Sequence, residues 1–232
     1  MGKRVGKNNS LTVRIDDLLE YTPITENQKV AFESWDDDDN LVLAGTAGTG
    51  KTFIALYMAL EELLDPDSFF RRIVIIRSVV PTRDIGFLPG TAEEKKDMYT
   101  IPYKNICAEL FGDASAWNKL LTSKQVQFES TSFIRGSTFD DAIIIVDEMQ
   151  NLNFHELDSV ITRVGRNSKV IFCGDYKQSD FKFQDEKDGI FKFMTILEQM
   201  RNFSIIQFGW DDIVRSGMVR DYIMTKEMLG IE

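Results

Sequence analysis

The sequence predicts an α/β fold in which a parallel sheet carries helices on both faces. Three observations support this. Apolar runs of strand length recur at Leu41 to Ala44, Arg72 to Ile76, Ala142 to Val146 and Val170 to Cys173, and Ser204 to Phe208 reads as a fifth strand. Continuous apolar runs suit strands covered on both sides. Helical spacings fill the intervals, and strands alternating with helices pair in parallel. Finally, Gly45-Thr46-Ala47-Gly48-Thr49-Gly50-Lys51-Thr52 stands between the first run and a helical segment, the setting a phosphate-binding P-loop requires.

In chain order, Met1 to about residue 21 reads as a tail with one short element, and 22–232 as one P-loop domain. Lys3, Arg4 and Lys7 make the tail basic and solvated. Leu11 to Leu19 fits a short strand or a helix equally well. Thr25-Glu26-Asn27-Gln28 opens a helix through Trp35, with Thr25 as N-cap and Gln28 at the capping-box position. Asp36 to Asp39 reads as a solvated turn, lacking the glycine and distal glutamate of a Ca²⁺ loop. The helix after the P-loop runs to about Leu64, before Pro66. From Ser78 to Tyr103 come Pro81, Gly86, Pro89, Gly90 and Pro102, a long excursion that makes 78–125 an inserted region. Residues 104–121 read as helix broken near Gly112, and Val126 to Phe128 as a short strand. Further helices are expected at 155–164, 189–200 and 217–229.

Composition bounds the function. At 232 residues, 43% hydrophobic and 28% charged, the chain has the make-up of a globular domain. No apolar run reaches the roughly 20 residues that span a bilayer, and the N-terminus has no apolar signal core, so a cytoplasmic protein with no membrane partner is expected. A net charge of -10 excludes a surface coated in basic groups, though not a local basic groove. Cys107 and Cys173 lack metal-type spacing, and Cys173, ending an apolar strand pattern, reads as a small core residue. The sole histidine, His155, has no partner in sequence for a metal site.

The chemistry starts at the P-loop. Its glycines let successive N–H groups turn toward phosphate oxygens at a helix N-terminus. Lys51 then reaches the β- and γ-phosphates of ATP, and the Thr52 hydroxyl holds Mg²⁺. Asp147, closing an apolar strand, is the second magnesium residue, and Glu148 beside it orients and deprotonates water. Gln178, in Gly174-Asp175-Tyr176-Lys177-Gln178, emerges at the same sheet edge, where an amide contacts the γ-phosphate or the attacking water. The carboxamide of Gln28 suits the edge of adenine, although the capping role also accounts for it.

Together these stretches resemble the PhoH-like family of phosphate-starvation-inducible ATPases, related to the first RecA-like domain of superfamily 1 helicases. The resemblance runs from about residue 22 and includes Gly86-Phe87-Leu88-Pro89-Gly90, Ile134-Arg135-Gly136, Asp147-Glu148-Met149-Gln150-Asn151 and Thr162-Arg163-Val164-Gly165. Ser137 departs from it where the family often has an arginine. The resemblance implies an adenine-reading role for Gln28 and a γ-phosphate contact for Gln178. It matches Arg215, in Asp211-Asp212-Ile213-Val214-Arg215, to a C-terminal arginine motif.

One P-loop leaves the arginine that neutralises the γ-phosphate to come from the C-terminal segment or a neighbouring subunit. Arg215 is the first candidate, with Arg220 and Arg163 as alternatives. A homo-oligomer follows from this, and the resemblance makes it a hexameric ring. The resemblance also implies RNA or single-stranded DNA as partner, with Arg77, Arg83, Phe87 and Lys95-Lys96 placed to hold phosphates and stack bases. The competing reading of that loop is packing against another subunit. Competing functions are a nucleotide-dependent structural assembly with slow hydrolysis and, more distantly, a small-molecule kinase.

Overall fold

A computed structural model describes residues 12–78, 92–131, 134, 136–175 and 184–230. Six strands form one sheet: β1 (Asn40–Gly45), β2 (Arg72–Arg77), β3 (Val126–Ser130), β4 (Ala142–Val146), β5 (Lys169–Gly174) and β6 (Phe203–Phe208). Their order is β3-β2-β4-β5-β1-β6, and every pairing is parallel.

Side-chain alternation along these strands decides where the helices pack. Leu41, Leu43, Ile73, Ile75, Ile143, Ile145, Ile171 and Cys173 point to one face. There they meet α1 (Glu26–Asp36), α2 (Lys51–Leu64), α3 (Ala92–Phe111) and α4 (Ala116–Thr122). Val42, Ala44, Val74, Ile76, Ile144, Val146, Val170 and Phe172 point to the other, against α5 (Phe154–Ile161) and α6 (Gln184–Glu198). Each fully covered Leu or Ile contributes about 1.5–3 kcal/mol. The last helix, α7 (Gly217–Met228), buries no residue. None of the helices, among the described residues, is long and apolar enough to cross a membrane.

Several expectations are refined. The short strand read at Val126 to Phe128 is an edge strand, Val126–Ser130, paired with β2 and two residues longer than expected. The helix expected from residue 104 begins at Ala92 and runs through Pro102. Proline removes an interior helix bond, but Tyr103, Cys107 and Leu110, along one face, bury into the core and hold the helix. The break at Gly112 is present, with φ +58. Helix α5 ends at Ile161, short of 164, and α6 starts at Gln184, ahead of 189. Leu11 to Leu19 is neither strand nor α-helix in its described part: Ile15–Asp17 form a single 3₁₀ turn. Strand β5 begins on Lys169, whose ammonium is buried against Trp35 O (2.8 Å), Asp38 Oδ1 (3.2 Å) and the Trp35 ring.

Parallel pairing sends the carboxyl ends of β1, β2, β4 and β5 to one edge. The order around β1, with β5 on one side and β6 on the other, opens a crevice there, which is where ligands bind in such sheets.

Candidate functional site

The loop leaving β1 is shaped by backbone that only glycine supports. Gly45 has φ +116, and a Cβ there would lie 2.1 Å from Phe208 O on β6. The chain peels away there with Thr46 N–H still donating to Phe208 O at 3.1 Å. It turns again at Gly48, φ +77, and enters α2 at Lys51. The Lys51 ammonium donates to Gly45 O (2.6 Å), Thr46 O (2.7 Å) and Thr49 Oγ1 (3.3 Å). Burial lowers its pKa below the ordinary lysine range, and nearby groups, Asp175 first, push the other way. A cation is thus held in the mouth of a loop at a helix N-terminus, an arrangement suited to an anion.

Across the crevice, Asp147 follows the last residue of β4 and is 3% exposed. Its Oδ1 accepts from the Thr52 hydroxyl at 2.8 Å, and its Oδ2 accepts from the Tyr103 hydroxyl at 2.7 Å. Arg77 closes the group, with Nη1 at 4.0 Å from Asp147 Oδ2 and Nη2 at 3.9 Å from Glu148 Oε1. Burial, then the charge of Glu148, raises the Asp147 carboxyl above the usual range, while Tyr103, Thr52 and Arg77 oppose the rise. Burial and the Asp147 charge drive the Tyr103 phenol well up, so it stays a neutral donor.

Glu148 sits at φ +53, a left-handed conformation uncommon for a non-glycine residue. Its carboxylate is steered by Gln150, whose Nε2 donates to Glu148 Oε2. Gln150 Oε1 in turn accepts from Asp175 N–H at 3.1 Å. Gly174 makes room for this amide: a Cβ there would lie 2.3 Å from Gln150 Oε1. The ends of β4 and β5 are therefore tied through one side chain.

The C-terminal segment returns to the P-loop. Asp212 accepts from Asn27 Nδ2 (2.7 Å) and from Gly209 N–H (2.9 Å), anchoring the turn Trp210–Asp212 on α1. Val214 N–H then donates to Gly48 O at 3.1 Å. A Cβ on Gly48 would meet Arg215 Cγ at 3.0 Å and Ile223 Cδ1 at 3.3 Å. Arg215 thus lies against the P-loop of its own chain. Farther along α7, Glu227 accepts from Trp210 Nε1 and from Thr46 Oγ1.

Gln28 braces the loop from behind. It is 0% exposed. Thr25 Oγ1 accepts from Gln28 N–H at 3.3 Å, in agreement with the N-cap read from the sequence. The side chain does not complete a capping box. Its Oε1 accepts from Ile24 N–H (3.0 Å) and Tyr21 OH (2.9 Å), and its Nε2 donates to Thr49 O (3.2 Å). The tertiary bond to the P-loop wins over the local one.

The structure therefore gathers Lys51, Thr52, Asp147, Glu148, Gln28 and Arg215 around one crevice. Arg77, assigned above to nucleic acid, lies among the acids instead, its guanidinium also 5.9 Å from the Tyr99 ring. Arg163 is committed to Ile134 O and Ser159 O at 2.8 and 2.7 Å, and Arg220 pairs with Asp211 at 3.7 Å, as framework and surface arginines do. His155 is exposed at the start of α5 beside Phe154. Arg83, Phe87 and Gln178 lie outside the described residues, as do Arg135 and the side chains of Lys95 and Lys96. Tyr103, Gln150 and Glu227 carry no signal of these contacts in the sequence. Gln150 is visible there only as a member of the Asp-Glu-x-Gln-Asn stretch.

A family profile described as PhoH-like protein matches residues 20–226. The PhoH-like protein of Mycobacterium leprae (strain TN) is 32% identical over 202 residues, covering 87% of this chain and 57% of the relative. The PhoH-like protein of Bacillus subtilis (strain 168) is 32% identical over 218 residues, covering 94% of this chain and 64% of the relative. The chain spans less than two thirds of the length of either relative. Among solved structures, the large terminase from a thermophilic bacteriophage has a similar fold, with TM-score 0.50 and 13% identity over 89% of this chain and 50% of that one.

Proposed function

This chain belongs to the PhoH-like family, and we propose that residues 22–232 form one domain that binds ATP with Mg²⁺ and hydrolyses it, acting on RNA or single-stranded DNA as a hexameric ring. The observation that carries the nucleotide reading is the 2.8 Å bond between the Thr52 hydroxyl at the start of α2 and Asp147 Oδ1 at the end of β4. These two oxygens fit magnesium, a hard cation that takes one or two protein oxygens and leaves its remaining positions to phosphates and water. When bound, the ion neutralises charge on the β- and γ-phosphates.

The residues divide the remaining work. Loop N–H groups and Lys51 hold the phosphates. Glu148, steered by Gln150, orients water and takes its proton. Arg215, packed on Gly48 in the same chain, neutralises charge on the γ-phosphate. Gln178 senses the nucleotide state. Gln28 reads adenine by exchanging one of its present bonds for the base edge. With Arg215 supplied in cis, a neighbour is not needed for the arginine, so the ring rests on family resemblance. The nucleic-acid reading rests on that resemblance too, and on Arg83, Phe87 and Lys95-Lys96, now without Arg77. A cytoplasmic location accords with the same reading.

The test is ATP binding and turnover of the wild type, Lys51→Ala and Glu148→Gln, with and without single-stranded RNA. Lys51→Ala is expected to lose affinity or turnover. Glu148→Gln is expected to bind ATP yet lose turnover about 10²–10⁴-fold, the usual contribution of general acid–base catalysis. Wild-type turnover in Lys51→Ala would falsify the nucleotide site, and turnover unmoved by RNA over a range of salt refutes the nucleic-acid partner. Mass in solution with and without an ATP analogue decides the oligomer.

A further inference from the structure

We propose that Tyr103 is a positioning residue for the magnesium site, its hydroxyl fixing the Asp147 carboxylate in the orientation that the ion requires. The proposal rests on the reading that Thr52 and Asp147 hold Mg²⁺, and it brings into the site a helix that no motif connects with it.

Asp147 is held at three points. Its N–H donates to Ile76 O at 2.9 Å, fixing the backbone across β2 and β4. Oδ1 accepts from Thr52 at 2.8 Å and Oδ2 from Tyr103 at 2.7 Å. Each oxygen thus has a different hydroxyl donor, and rotation of the carboxylate would break both bonds. Arg77 faces the same Oδ2, but at 4.0 Å it supplies charge rather than a hydrogen bond to fix direction. Directional control of the outer oxygen therefore belongs to the phenol.

Tyr103 is itself rigidly placed. It is 1% exposed, and its ring is stacked on Trp117 of α4 at 5.9 Å and 22° and lies 5.8 Å from Phe128 of β3. One turn earlier on the same face of α3, Tyr99 lies beneath the Arg77 guanidinium at 5.9 Å. Both partners of the outer oxygen are thus backed by α3. Groups that hydrogen-bond a metal-binding carboxylate set its orientation and tune metal affinity, typically by 10–100-fold.

A purely structural tyrosine would need only some partner for its buried hydroxyl, and its loss would lower stability alone. Magnesium affinity separates the two roles. The experiment titrates Mg²⁺ into the full chain with a fluorescent ADP analogue, for wild type, Tyr103→Phe and Trp117→Phe, alongside thermal unfolding. Tyr103→Phe keeps the ring and removes the donor: the Mg²⁺ concentration for half-maximal tight binding is expected to rise about tenfold, with magnesium-free nucleotide affinity unchanged. Trp117→Phe loosens the packing and keeps the hydroxyl: its melting temperature is expected to fall with the Mg²⁺ requirement unchanged. A Tyr103→Phe requirement within twofold of wild type overturns the proposal. So does a Trp117→Phe shift as large as that of Tyr103→Phe. If wild-type binding is tight but indifferent to Mg²⁺, the magnesium reading fails and this proposal with it.

Discussion

Replacing Arg215 by alanine removes a guanidinium from the P-loop while leaving its support in place. The Val214 N–H to Gly48 O bond at 3.1 Å is backbone to backbone, and the Asp212 bonds to Asn27 and Gly209 lie upstream. The segment should therefore keep its course, and nucleotide affinity should fall by no more than about 10–100-fold, the span of one hydrogen bond to a charged group at about 1.5–3 kcal/mol. Turnover is another matter. An arginine acting on the transferring phosphoryl group contributes about 10³–10⁵ in kcat, or roughly 4–7 kcal/mol at about 1.4 kcal/mol per tenfold. The assay is single-turnover hydrolysis by chains carrying Arg215→Ala, chains carrying Lys51→Ala, and oligomers co-assembled from equal amounts of both. If the arginine acts within its own chain, every chain in the mixture lacks one essential group and the mixture stays inactive. If it acts on a neighbour, an intact Lys51 meets an intact Arg215 at one half of one half of the head-to-tail interfaces, and about one quarter of the sites recover. Recovery near that level refutes the cis assignment, and wild-type turnover in Arg215→Ala alone removes the residue from the mechanism.

The other predictions concern groups buried at or beneath the same loop. Gln28→Ala deletes the acceptor for Ile24 N–H and Tyr21 OH and the donor to Thr49 O; a loss of about 2–4 kcal/mol is expected from the stranded groups, read as a fall in melting temperature of roughly 5–15 °C. If Gln28 also reads adenine, the ratio of kcat/KM for ATP over GTP falls in the same variant; an unchanged ratio leaves it a brace alone. Burial pushes the Cys107 thiol up to about 12 and the Cys173 thiol well above its ordinary range. At pH 8 only about one Cys107 thiol in ten thousand is then thiolate, so iodoacetamide should label neither cysteine until the chain unfolds, with native reactivity increasing only as pH climbs toward 12. Rapid native labelling at pH 8 contradicts the packing of β5 and α3.

The readable parts of the fold and site are those whose signal is local. Four of the strands, β1, β2, β4 and β5, are apolar runs because both faces are covered. The P-loop glycines announce themselves because Gly45 and Gly48 adopt positive φ. Less readable parts have side chains answering to distant partners. Val126–Ser130 alternates buried and half-buried as an edge strand does, a weaker pattern than a central run. The first half of α3 is hidden by Pro102, a helix breaker in isolation that is overridden by the burial of Tyr103 and Cys107. At Gln28 the capping signature is correct for the backbone and silent about the side chain, which bonds a carbonyl 21 residues away.

Arg77 shows what separates the two classes. Read along the chain, it stands beside the long excursion that starts at Ser78, and the family resemblance implies a nucleic-acid contact for it. Read across the sheet, it is the residue after Ile76, which lies in register with Val146. The residues that follow are Arg77 and Asp147, side by side, with Glu148 one step beyond, and the separations of 4.0 and 3.9 Å accord with that register. Placing β2 beside β4 supplies the assignment, and strand order is the one quantity that a run of apolar residues does not encode. The same holds for Tyr103, 44 residues before its partner and brought to it by a helix in the core on one face of the sheet. The phosphate loop is written in neighbouring residues, but the positioning of its acids is written in topology.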